Sequence, residues 1–265
     1  MKWSNNPILI NLKHNRGRIT SPLAQIIVSP LNGPFIASYP RSGSTWLRTM
    51  ITNVIDENAN SNPDVFNRMI PGTTLTRLWL AYHTPKPHLL STHSIYRRNI
   101  KRVVYVLRDG RDSVLSLFRY TTIREGIDMD FSQWFSFYKK GWYGPRWDQH
   151  VESWLVRGRD RLGENMLIVP YEHLCADSHG NLKKVCDFLK INYEANDIDR
   201  AVKLSSLDNM RKWEQKILGP VTDENASFYR GKKKAPERMT LLNEQQRNEI
   251  MRLSEKALRL GDYIK

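Results

Sequence analysis

The stretch FIASYPRSGSTWLRTM, residues 35–50, joins an apolar run to a helical pattern through one short polar loop. GPFIAS has the β-prone apolar character of a buried strand, and Trp46, Leu47, Met50, Ile51, Val54 and Ile55 then recur at helical spacing. Strand, tight loop and helix in that order aim backbone N–H groups at whatever lies over the helix start, which favours an anion. The intervening residues reinforce this. Ser42, Ser44 and Thr45 add hydroxyl donors, Gly43 lets the backbone approach a ligand, and Arg41 and Arg48 bring fixed positive charge. Serine and threonine also cap helices without any ligand, but two arginines crowded around these donors favour a phosphate or sulfate site. The GxxxxGK[ST] pattern is absent, which disfavours an ordinary P-loop kinase or ATPase.

Further strand-like runs follow in PHLLSTH (87–93) and KRVVYVLR (101–108), the second continuous enough for a sheet covered on both faces. DGRDSVLSLFRY reads as a helix capped by Asp112, with Val114, Leu115, Leu117 and Phe118 as its apolar face. Residues 145–161 read as an amphipathic helix opened by proline, followed by the strand NMLIVPY and the helix GNLKKVCDFLKI. This alternation predicts an α/β fold, a central mostly parallel sheet flanked by helices. No linker divides the chain, so residues 1–265 are read as one domain, with 1–34 forming an arm or edge strand. The C-terminal part reads as helical, interrupted by the basic loop YRGKKKAPER at 229–238.

The 41 Lys and Arg against 27 Asp and Glu give a net charge of +14, so an anionic substrate or partner is expected. Two cysteines, Cys175 and Cys186, form neither a metal-ligand spacing nor a disulfide framework. Together with the lack of a signal-like start or a membrane-length apolar run, they predict a cytoplasmic protein with no membrane span.

YPRSGSTWL resembles the phosphosulfate-binding loop of the sulfotransferases that use 3′-phosphoadenosine 5′-phosphosulfate (PAPS), and VVYVLRDGRDSVLSLFRY resembles their 3′-phosphate segment. LLSTH is similar to the segment carrying their catalytic histidine, and SSLDNM and FYRGKKK to their last two cofactor segments, so the likeness covers roughly 35–250. The resemblance implies a P-loop-like fold that binds PAPS, releases adenosine 3′,5′-bisphosphate (PAP) and needs no metal. It implies that Ser42, Gly43, Ser44 and Thr45 hold the 5′-phosphosulfate and that Trp46 stacks on adenine. Arg108 and Ser116 would hold the 3′-phosphate, with Arg230, Gly231 and Lys232 closing over it, while Tyr171 and Ser205 line the adenine pocket. His93 would take the proton from an acceptor hydroxyl as that oxygen attacks sulfur in line. Arg41 would stabilise charge on the leaving oxygen.

Three positions depart from the soluble animal pattern. Arg41 stands where lysine is common, Ser91 replaces a lysine two residues before the histidine, and GKKKAPERM lacks the usual Gly-Asp-Trp. These variants are more similar to bacterial sulfotransferases acting on small molecules, and Ser91 is expected to help position the acceptor or the transferred sulfuryl group. Two other readings stand beside this one. A nucleic-acid-binding protein would use the basic charge and the 8 tryptophans as a stacking surface. A small-molecule kinase would need a P-loop lysine and Mg²⁺ ligands. No nucleic acid partner is expected, and the acceptor is a small molecule bearing a hydroxyl. Residues 66–86 and 120–144 are expected to shape its pocket as loops, unless Trp79, Tyr82, Trp134, Phe135, Phe137 and Tyr138 instead pack a helical lid.

Overall fold

Four short parallel strands organise the chain in a computed structural model that describes residues 33–57, 59, 65, 68–73, 83, 89–124, 127–218, 239 and 242–265. They are β1 (Phe35–Ser38), β2 (Leu90–Thr92), β3 (Val103–Leu107) and β4 (Met166–Pro170), in the order β2-β1-β3-β4. Every pairing is parallel, with Ile36 opposite Ser91 on one side and Val104 on the other. The chain leaves β1 toward β2 and returns to place β3 on the opposite flank. The ends of β1 and β3 therefore border the point where strand order reverses, where a parallel sheet opens a crevice beyond its carboxyl edge.

Alternation along the strands sorts their side chains into two cores. Phe35, Ala37, Val103, Tyr105 and Leu107 pack on one face, and Ile36, Val104 and Val106 on the other. The first face is covered by α2 (Gly110–Arg119), α3 (Phe131–Lys139), α4 (Trp147–Glu152) and a long C-terminal helix, Glu244–Leu260. The second is covered by α1 (Ser44–Ile55) and by helices Ser178–Leu189 and Ala195–Leu204. A sheet sealed on both sides explains why β3 is apolar at all five positions.

Two local expectations need correction. Helix α2 is capped by Asp109, whose carboxylate accepts the Arg111 N–H at 2.9 Å, and not by Asp112. Asp112 lies inside the first turn, where its side chain reaches back one turn to Arg108 instead. The helix expected over 145–161 begins at Trp147, with Pro145 outside it, and changes to π-helical geometry over Ser153–Gly158 before α5 (Arg159–Leu162).

The aromatic run of α3 is core rather than a loop. Trp134, Phe135 and Tyr138 are buried and stack on one another, while Phe137 packs on Trp142. Trp79 and Tyr82, like most of residues 66–86, lie outside the described residues. Trp134, Trp147 and Trp154 are all fully buried, so these three cannot serve as a nucleic-acid stacking surface. Among the described residues no helix is long and apolar enough to cross a membrane.

Gly110 permits the closest approach in this layer, because a Cβ there would fall 2.4 Å from Cε3 of the Trp147 indole. Gly110→Ala is expected to lower stability by about 1–3 kcal/mol through overpacking. Urea unfolding of the variant checks this, and an unchanged midpoint contradicts it.

Candidate active site

The loop after β1 turns on two residues with positive φ. Gly43 has φ 91°, and an added Cβ would lie 2.4 Å from the Tyr171 ring, so only glycine fits. Arg41 has φ 70°, a conformation costing a side-chain-bearing residue about 1–2 kcal/mol. Its neighbours hold it there. Arg108 Nη1 donates to the Arg41 carbonyl at 2.9 Å, and Arg41 Nε donates to Ser116 Oγ at 3.2 Å. The Arg41 guanidinium also lies 5.2 Å from the Tyr120 ring centre. Gly43 is the N-cap of α1 and offers no side-chain cap, so the helix start directs N–H groups outward. Ser42 Oγ lies 3.4 Å from Ser113 Oγ on α2.

Arg108 follows β3 directly and is buried. Its Nη2 is paired with Asp112 at 3.0 Å, and its guanidinium lies 4.3 Å from the Tyr171 ring centre. Burial opposes its charge, but Tyr171, Asp112 and Glu172 outweigh that and raise its proton affinity. Its Nε is buried and has no hydrogen-bond partner among the described residues. A buried guanidinium with an unused N–H, a second arginine and an uncapped helix start together make a donor set suited to a phosphorylated ligand.

Trp46, Tyr171 and Ser205 converge beside this cluster. Trp46 Nε1 donates to the Ser205 carbonyl at 2.7 Å, and its ring meets Tyr171 edge-on at 6.1 Å. Asn53 Nδ2 donates to Ser205 Oγ at 3.1 Å, a link the sequence reading missed. Arg230, Gly231 and Lys232 lie outside the described residues.

His93 stands just past β2. Its Nδ1 is 2.8 Å from the Ser38 carbonyl, which can only accept, so Nδ1 carries the proton and Nε2 keeps its lone pair. The side chain is open to solvent, yet enough protein surrounds it that desolvation is the largest influence on its titration. Desolvation, with Arg48 and Arg41 assisting, pushes its pKa below 6.5 despite the opposing Ser38 bond, which keeps it neutral near pH 7.

Ser91 and Arg48 both engage the backbone of residues 70–71. Ser91 is buried, with its N–H on the Pro71 carbonyl at 2.9 Å and its Oγ 3.4 Å from the same oxygen, so it ties the edge of β2 to residues 71–73. Arg48 lies buried within α1, where Nη2 donates to the Ile70 carbonyl. Ser38, Asp112 and Ser113 complete the site without having been singled out for it, although the Arg108–Asp112 spacing of four residues on a helix start was visible in the sequence.

The chain matches the Sulfotransferase domain family over residues 33–259 and belongs to that family. It is 24% identical to Sulfotransferase 1B1 of Mus musculus over 197 residues, covering 67% of this chain and 64% of that protein. It is 26% identical to Cytosolic sulfotransferase 13 of Arabidopsis thaliana over 220 residues, covering 74% and 67%. Matches with Sulfotransferases 1B1 and 2B1 of Mus musculus span about half to two-thirds of those proteins. Among solved structures, mouse sulfotransferase SULT7A1 complexed with PAP superposes with a TM-score of 0.64 at 21% identity, covering 88% of this chain and 89% of that one. Retinol dehydratase in complex with androsterone and PAP gives 0.62 at 18% identity, covering 86% and 81%. The fold is therefore that of the sulfotransferases.

Beneath His93 lies a second, fully buried histidine. His150 Nδ1 is 3.1 Å from Tyr105 Oη, and desolvation, followed by the charge of His93, pushes its pKa down to about 3. Below pH 6.5 the unfolded chain protonates this histidine while the folded chain refuses the proton until about pH 3, so its contribution favours folding less and less on acidification across that window. The slope from this one proton is at most about 1.4 kcal/mol per pH unit. His150→Phe should therefore lose less stability than the wild type between about pH 7 and about pH 5. Equal losses in urea unfolding at both pH values would contradict the assignment.

Proposed function

We propose that the protein transfers a sulfuryl group from PAPS to a hydroxyl of a small-molecule acceptor, acting in the cytoplasm as a single sulfotransferase domain. The observation that carries this reading is the hydrogen-bonded meeting of Arg41, Arg108, Ser116 and the uncapped start of α1 beside a histidine whose Nε2 is free to accept a proton. PAPS supplies the sulfuryl group, whose bond to the phosphate oxygen breaks as the acceptor oxygen bonds to sulfur, leaving PAP. In this reading Ser42, Gly43, Ser44 and Thr45 bind the 5′-phosphosulfate through N–H and hydroxyl donors. Trp46 presents its ring face to adenine, with its edge fixed on Ser205 and Tyr171 beside it. Arg108 and Ser116 hold the 3′-phosphate, with Arg230, Gly231 and Lys232 assigned to its outer side by resemblance.

His93 Nε2 takes the acceptor proton as the new bond forms, and its Nδ1–H stays on the Ser38 carbonyl, which also favours the imidazolium that results. Arg41 keeps its charge throughout, so it stabilises the leaving oxygen electrostatically and does not donate a proton. The neighbouring proteins crystallised with PAP support the cofactor, and the one bound to androsterone supports an alcohol of moderate size as acceptor class.

Sulfate transfer from labelled PAPS to a panel of phenols, sterols and aliphatic alcohols tests the proposal. His93→Ala should bind PAP as the wild type does and lose about 10²–10⁴-fold in turnover. Arg108→Ala should weaken PAP binding at least about tenfold, since it removes charge-assisted hydrogen bonds. The acid limb of kcat/KM should fall below pH 6.5, because His93 titrates below that value. Wild-type turnover in His93→Ala, or a limb above it, would contradict the proposal.

A further inference from the structure

The helix entered at Trp147 passes behind the loop that carries His93, and its geometry changes there. α4 gives way to the π-helical turn Ser153–Gly158, a rare form concentrated at functional sites. Consecutive positions of an α-helix diverge by about 100°, yet Ser153 and Trp154 both reach the short segment 94–96, Ser153 at Tyr96 and Trp154 at Ser94. Ser153 Oγ accepts the Tyr96 N–H at 3.0 Å and donates to the His150 carbonyl at 2.9 Å. Trp154 Nε1 donates to the Ser94 carbonyl at 3.0 Å.

The indole is itself immobilised. Trp154 is fully buried, stacked on Tyr105 at 5.4 Å with an interplanar angle of 21°, and met edge-on by Tyr96 at 5.4 Å. Its N–H is therefore aimed before any ligand arrives. On the front side, His93 is held by the Ser38 carbonyl, and the Ser94 N–H is held by Thr92 Oγ1 at 3.2 Å. The backbone carrying the histidine is thus gripped between the end of β1 and the rear helix.

We infer that Ser153 and Trp154 are positioning residues that fix the orientation of His93 by bracing residues 94–96 from behind, an inference that rests on the reading of His93 as the base. Small misplacements of a proton acceptor cost rate out of proportion to their size. A brace built from a buried indole N–H and a doubly bonded hydroxyl limits such misplacement without touching the ligand.

The test uses the full chain with ¹⁵N-labelled histidine, saturated with PAP, in the wild type, Ser153→Ala and Trp154→Phe. Ser153→Ala changes little volume, so it guards against a Trp154→Phe variant that fails to fold. Long-range ¹H–¹⁵N spectra report the tautomer of His93, whose signal among the seven histidines is assigned with His93→Gln. The expected result is PAP affinity within about twofold of wild type in both variants, with the Nδ1–H form of His93 dominant in the wild type and mixed with the other tautomer in the variants. Turnover with 4-nitrophenol as probe acceptor should fall about tenfold in kcat with KM held. An unchanged His93 signal in both variants, or a change accompanied by equal loss of PAP binding, overturns the inference. Wild-type turnover in His93→Ala would instead overturn the base assignment, and the tautomer spectra would still decide the brace.

Discussion

Arg108 joins two loops that would otherwise be independent. It leaves the end of β3, donates through Nη1 to the Arg41 carbonyl beyond β1, pairs through Nη2 with Asp112 on α2, and lies over the ring of Tyr171 beyond β4. Three strand ends are thereby tied by one guanidinium, and the left-handed turn at Arg41 is stabilised by the bond to its own carbonyl. A lysine could not do this, because a single ammonium lacks the planar fork that addresses a carbonyl and a carboxylate while stacking on a ring. The arrangement depends on β1 and β3 being neighbours, which follows from the reversal of strand order in the sheet.

The same sheet edge sorts charge by task. Arg41 and Arg48 both lie near enough to His93 to disfavour a positive charge on its ring. A crowded, cationic surround would make a poor base of a freely rotating histidine. Here the Ser38 carbonyl fixes the tautomer, so the neutral ring keeps its lone pair on Nε2, away from that bond. Behind it, His150 holds no charge and serves as a buried polar link to Tyr105. The layer of Trp147, Trp154 and Tyr105 gives the site a rigid back wall, in keeping with the general need for catalytic groups to rest on well-packed supports.

Much of this was legible in the residues because each signal was local. The apolar runs of β1 and β3, the turn at Gly43 and the hydroxyls at the start of α1 depend only on neighbours in sequence, and they fell where the pattern put them. The resemblance supplied Arg108, Ser116, Tyr171 and Ser205, which the fold then brought beside Arg41 and Trp46. What sequence could not reveal was long-range or competitive. Asp112 had the chemistry of a cap, but Asp109 stood at the helix start and took that role, leaving Asp112 to Arg108. Ser91 turned to the Pro71 carbonyl because residues 71–73 add to the edge of β2, a pairing without a local signature. The aromatics of α3 read equally as pocket or core, and only the packing against the sheet decided for core. The π-helical turn after Glu152 had no visible sign, since its residues continue an ordinary amphipathic pattern.

The central claim is that the Arg41–Arg108–Ser116 cluster recognises a 3′-phosphorylated adenine nucleotide. Calorimetric titration of the protein with PAP, set against adenosine 5′-phosphate under the same conditions, measures this directly. PAP is expected to bind at least about tenfold more tightly, since the 3′-phosphate gains charge-assisted hydrogen bonds from Arg108 and its neighbours. Equal affinity for the two nucleotides would contradict it and return the basic charge of the chain to the nucleic-acid reading.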